Sequence, residues 1–165
     1  MRPPRFRLTI ALLCVGLAGV CAAPSAGAHA TFSGTVCDML SPGQVAALHA
    51  PATCTPRSLK GSESTTSFGL WQPATPGGAH LSVTVVEWDS AKKLAVAQKA
   101  MQSLPGTVQK VKGIGTIAYE SALGNQMVVN FLVGHAVVSV QLQSPKPLSS
   151  AVPFNAAAKA IAAKL

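Results

Sequence analysis

Four side chains able to bind a soft metal fall in one short stretch: Cys37, Met39, His49 and Cys54. Thiolate, thioether and imidazole ligands together suit Cu(I). The C-x-M spacing followed by a distant His and Cys matches no closed zinc pattern, however. In an oxidising compartment the two thiols pair first, and we read them as a Cys37–Cys54 disulfide. The other two cysteines, Cys14 and Cys21, lie in an N-terminal leader, so an even pair remains. Closing a loop of this length contributes roughly 3 kcal/mol in the chain-entropy account.

The remaining motifs each lack a part that their chemistry needs. Gly113-Ile114-Gly115 resembles the start of a dinucleotide fingerprint, but no third glycine follows at the right place. A strand pattern comes next, whereas phosphate cradling in that motif needs a helix N-terminus. It reads as a glycine turn that lets the chain enter a sheet. Ser90-Ala91-Lys92-Lys93 matches S-x-x-K, which could set a hydroxyl beside an amine, but the S-x-N and K-T-G partners are missing. A helix cap followed by solvated lysines accounts for it. No G-x-S-x-G elbow is present, and His49, His80 and His135 are well separated. Among the acids, Glu87 and Asp89 would share a strand face, but Asp89 stands where a helix cap is needed. The reading is therefore non-enzymatic, with no catalytic residue, no cofactor and no metal.

The first thirty residues hold Arg2, Arg5 and Arg7, an uncharged apolar run from Leu8 to about Ala23, and then Ala28-His29-Ala30. That order is a secretory signal peptide with cleavage before Thr31. The run is shorter than the roughly 20 apolar residues of a membrane span. Cleavage after Ala23 is an alternative. A lipid anchor at Cys21 is the other, though Val20 stands where a lipobox carries a small residue. Localisation is thus exported, periplasmic or secreted.

The whole chain has a net charge of +8 from 13 Lys and Arg against five acids. With Arg2, Arg5 and Arg7 removed, ten basic residues remain, a net +5, and no acid follows Glu120. Such a balance permits weak contact with an acidic envelope surface. Lys92, Lys93, Lys99, Lys110 and Lys112 are grouped, but the aromatics needed for stacking are few, so nucleic acid is not an expected partner.

Residues 31–165 are long enough for a single core. Ser41-Pro42-Gly43-Gln44 is a capping box with Pro at the first helical position, flanked by Leu40 and Val45 as a hydrophobic staple. The helix runs to about His49 and stops before Pro51. Arg57–Thr66 reads as a polar loop. Ser67–Gln72 and Leu81–Trp88 read as a strand hairpin around Pro73–Gly78. A second helix is capped by Asp89 or Ser90 and ends at Pro105-Gly106. Strands follow at Ile114–Tyr119, Met127–Val133 and Ala136–Leu142, then a helix from Pro153 with Phe154, Ala157, Ala158, Ile161 and Leu165 on one face. The expected class is α+β: an antiparallel sheet of about five strands with helices on one face, in the order helix-strand-strand-helix-strand-strand-strand-helix.

Val36-Cys37-Asp38-Met39-Leu40-Ser41, the short helix, Cys54, and Val111-Lys112-Gly113-Ile114-Gly115-Thr116-Ile117-Ala118-Tyr119 together resemble a group of secreted bacterial envelope proteins. That group is known as actinobacterial lipoproteins with a C-x-L-L-T start and a G-x-G-x-x-A segment. The resemblance implies a small sensing or ligand-binding envelope domain, with no known reaction. Here a proper lipobox is missing, and Thr116 stands where members often carry an acid.

These readings converge on an exported binding or sensing module whose partner is an envelope protein or small ligand. Its expected surface is the helix-free sheet face carrying Ser82, Thr84, Val86 and Trp88, with Trp71 as a further aromatic. The alternative is a small periplasmic hydrolase whose site is assembled only in the fold.

Overall fold

The structure is a computed structural model that describes residues 34–102, 108–146 and 150–165; the leader lies outside them. A 3-10 helix at Val36–Met39 opens the fold. Asp38 holds it closed, because its Oδ2 accepts from both the amide and the hydroxyl of Thr35, each at 2.8 Å. Helix α1 (Pro42–Ala47) follows, with the capping box formed: the Ser41 amide donates to Gln44 Oε1 at 2.8 Å and the Gln44 amide to Ser41 Oγ at 3.3 Å. Leu40 and Val45 are both buried. A helix of six residues cannot persist alone. The Cys37–Cys54 disulfide ties its approach to its exit.

Seven antiparallel strands form one sheet: β1 (Thr55–Lys60), β2 (Ser64–Trp71), β3 (His80–Trp88), β4 (Val108–Val111), β5 (Ile117–Leu123), β6 (Gln126–Val133) and β7 (Ala136–Gln143), in the spatial order β1-β2-β3-β7-β6-β5-β4. Helix α2 (Ala91–Gln102) links β3 to β4, and α3 (Val152–Ala162) closes the chain. Five expected strands are therefore replaced by seven, and the expected order fails, since three strands precede α2 and four follow it.

Both additional strands are sheet edges. All six residues of β1 are exposed, so no period-2 alternation marks it, and Pro56 argues against a strand everywhere except at an edge. β4 has only four residues, with Gln109 and Lys110 exposed. The strand expected at Ile114–Tyr119 begins later than its apolar residues suggest, at Ile117, and runs on to Leu123. Ile114 is 1% exposed but belongs to the loop before β5, filling the core from outside any strand.

One face of the sheet carries the core. Leu81, Val83 and Val85 of β3, Val138, Val140 and Leu142 of β7, and Val129 and Phe131 of β6 pack with Val36, Met39, Leu48 and the Phe154, Ala157, Ala158 and Ile161 stripe of α3. Full burial of each large apolar side chain here contributes about 2 kcal/mol. The opposite face is not helix-free, which corrects the expectation that all helices share one side. α2 packs on β3 and β7. Its Met101 is buried outside that core cluster, as is Leu132, which alternates with Phe131 and so points to the other side. A crossover from β3 to the far edge must pass over one face, and the first is already occupied by α3 and the N-terminal helices.

Candidate functional site

The β2–β3 register decides where the aromatic candidates fall. Trp71 pairs with Leu81, while Val86 and Trp88 pair with Thr66 and Ser64. Trp71 therefore shares the core face and is 2% exposed, whereas Val86 and Trp88 lie half-buried on the face that α2 crosses. The structure does not bring Trp71 together with the other two. The Trp88 amide donates to the His135 carbonyl at 3.1 Å, which ties β3 to the turn between β6 and β7. Its indole Nε1 is buried with no hydrogen-bond partner among the described residues.

Cys37 and Cys54 are joined to each other, so neither offers a thiolate, and Met39 is buried in the core. Among the described residues no three His, Cys, Asp or Glu side chains gather to hold a metal. Ser90 Oγ accepts from the Lys93 amide at 3.3 Å, so Ser90 rather than Asp89 is the helix cap. Lys93 then turns its ammonium to Glu63 at 2.9 Å.

A half-open cleft of about 250 Å³ forms where the 3-10 helix lies over β1, β2 and β3. Its origin is visible in β2, whose core-facing residues are Thr65, Ser67, Gly69 and Trp71. A β-carbon on Gly69 would meet Val36 Cγ1 at 3.0 Å, so the 3-10 helix sits directly on the β2 backbone there. One step along, Ser67 is too small to fill the space beside Val85, and the cleft opens. Val36, Met39 and Val85 line it with apolar surface, Thr35, Ser58 and Ser67 with hydroxyls, and Arg57 and Glu87 with charge. Ser58 and Ser67 hydroxyls lie 3.4 Å apart across β1 and β2. Leu165 flanks the cleft, and Lys164 Nζ donates to the Asp38 carbonyl at 2.7 Å, fastening the chain's last turn to the 3-10 helix. The Thr35 amide and hydroxyl hold the Asp38 carboxyl below its ordinary value of 3.8, and the Lys164 charge acts in the same direction.

No histidine lines this cleft. His80 lies in a second, smaller cleft of about 130 Å³ with Trp71, Ser82 and Gln141. His80 and Glu87 stand at opposite ends of β3, about 23 Å apart at the rise of a strand. Neither cleft thus combines a carboxylate, a histidine and a hydroxyl. The arrangement can bind through apolar contact, hydroxyl hydrogen bonds and one charge of each sign. Thr35, Ser58, Ser67, Arg57 and Glu87 were not expected as one group. The signal for them was the run of small residues on the core side of β2, which reads as a weak strand unless its register is known.

No protein family, curated protein or solved structure matches this chain. The disulfide fits an oxidising, exported location, and no helix among the described residues is long and apolar enough to cross a membrane.

Proposed function

We propose that this protein is an exported, disulfide-stapled binding module of the cell envelope, released by cleavage of a signal peptide at residues 1–30. It takes a small ligand, or a short segment of an envelope protein, in the cleft between the 3-10 helix and β1–β3. The observation that carries this reading is the cleft itself: an apolar floor, three hydroxyls and the opposed charges of Arg57 and Glu87, with no histidine or thiolate beside them. Sites that bind without reacting have this make-up, in which apolar surface supplies affinity and a few polar groups set orientation. The separation of His80 from Glu87 supports binding over hydrolysis. The resemblance to secreted envelope proteins is in keeping with the same reading.

The test is the intact mass of the protein recovered from its native envelope, measured under native and then denaturing conditions. A chain starting at Thr31, two hydrogens short and carrying extra mass only under native conditions, is the expected result. A diacylated chain starting at Cys21 would overturn the soluble localisation. Release of a cleaved product from the bound species would favour the hydrolase.

A further inference from the structure

The smaller cleft opens on the face of the sheet that α2 crosses. Leu70 of β2, Ser82 of β3 and Gln141 of β7 stand side by side in register there, with His80 opposite Gln143 one row further out. Together with Gln72 these residues bound a cleft of about 130 Å³. Trp71 and Leu81 border it as well, but at 2% and 1% exposure their side chains belong to the core. None of the described lining residues is Asp, Glu, Lys or Arg. The cleft under the 3-10 helix differs in this respect, since Arg57 and Glu87 line it.

The cleft runs on into a polar strip across the sheet. Next to the Ser82–Gln141 row lies the row Thr84–Ser139–Asn130–Tyr119, carried by β3, β7, β6 and β5. All four are half-buried, whereas Val83, Val140 and Val129, which point to the core from the same strands, are fully buried. The row beyond is Val86–Val137–Leu132, and there Leu132 is buried, so α2 covers that end of the face and leaves the polar rows reachable. Three strand spacings make the open strip about 14 Å long. Among the described residues, the side chains of Ser82, Thr84, Asn130, Ser139 and Gln141 form no hydrogen bond with one another or with the rest of the chain.

The chemistry of the lining selects among ligands. A phosphate or carboxylate needs a cation to hold it, and an ammonium needs an acid; neither lines this cleft. An apolar ligand would find only Leu70. Amide and hydroxyl side chains each donate and accept, which matches a ligand with many neutral groups of the same two kinds. The three glutamine amides suit an acetamido group in particular, with its methyl against Leu70. We infer that the cleft and the Thr84–Tyr119 row bind an uncharged glycan containing N-acetylated sugar units, one unit in the cleft and the rest of the chain along the strip. Tyr119, at the far end, offers a ring face and a hydroxyl to the same ligand. The site shares no lining residue with the cleft under the 3-10 helix and takes a different ligand, so it stands or falls separately from the proposed function.

The experiment is a titration of the ¹⁵N-labelled protein with tri-N-acetylchitotriose in the millimolar range, followed by amide chemical shifts. Saturable shifts centred on residues 82, 84, 130, 139 and 141 are expected. Cellotriose, which lacks the acetamido groups, should bind at least about threefold more weakly. Gln141→Leu should weaken binding of the acetylated probe about fivefold, and adding Thr84→Val should weaken it further. Both positions are half-buried and hold no hydrogen bond within the described chain, so these variants keep the fold. Glu87→Gln, in the first cleft, should leave the titration unchanged. Shifts that do not saturate, shifts centred on the first cleft, equal affinity for cellotriose, or unaltered binding in the double variant would each overturn the inference.

Discussion

β2 and β7 flank β3 on either side and present side chains to the same core, yet the larger cleft under the 3-10 helix opens on the β2 side. Val85 shows the contrast at one position: its neighbour on β7 is Val138 and its neighbour on β2 is Ser67. On the β7 side Ala136, Val138, Val140 and Leu142 are all buried, and the apolar stripe of α3 completes the same core. On the β2 side the covering element is a 3-10 helix of four residues, held down by a disulfide and by contact with Gly69. The difference shows how a small sheet makes a binding cleft without a long loop. Small residues at core-facing positions leave the space, and a short stapled element roofs it.

Removing the staple should have the largest effect. Cys37→Ser with Cys54→Ser should lower stability by about 3 kcal/mol in denaturant unfolding, with the loss centred on the roof of the cleft. Hydrogen exchange that speeds up equally across β5–β7 would break the comparison, because the two sides would then unfold as one. Next in size is the matched pair across Val85. Val138→Ala should cost between about 2 and 3 kcal/mol, since it opens a cavity in a filled region. Ser67→Ala should change stability by less than about 0.5 kcal/mol, because its space is already open. Equal losses at the two positions would show that both sides are packed alike.

The smallest effect concerns acid. Asp38 has a depressed carboxyl, so its contribution to stability is present above the ordinary value of 3.8 and is lost as pH falls below it. The difference in melting temperature between the wild type and Asp38→Asn should therefore be constant near neutrality and shrink as pH drops below about 3.8. A difference that grows in acid would remove Asp38 from the account of how the 3-10 helix is held.

Much of the core was legible because its residues alternate or recur at helical spacing. The α1 capping box, the disulfide and the alternation of β3 and β7 all follow from residue type and order. β1 was not legible, since an edge strand with every side chain in water carries no alternation, and Pro56 pointed the other way. β4 was too short for a pattern. Trp71 shows the limit for the site: an aromatic near a strand end reads as a surface anchor until the register places it one residue out of phase with Trp88. The cleft depends on that same register, and on the small residues of β2, whose core-facing side is not defined until the register is known.

The central claim is that the cleft on the core side of β2, and not the face carrying Val86 and Trp88, is where the ligand sits. The direct measurement is bound mass in native mass spectrometry for Ser67→Phe and Val86→Phe, each recovered from the native envelope beside the wild type. Loss of bound mass in Ser67→Phe with retention in Val86→Phe is the predicted result. Retention in Ser67→Phe with loss in Val86→Phe would contradict the account and move the site to the Trp88 face.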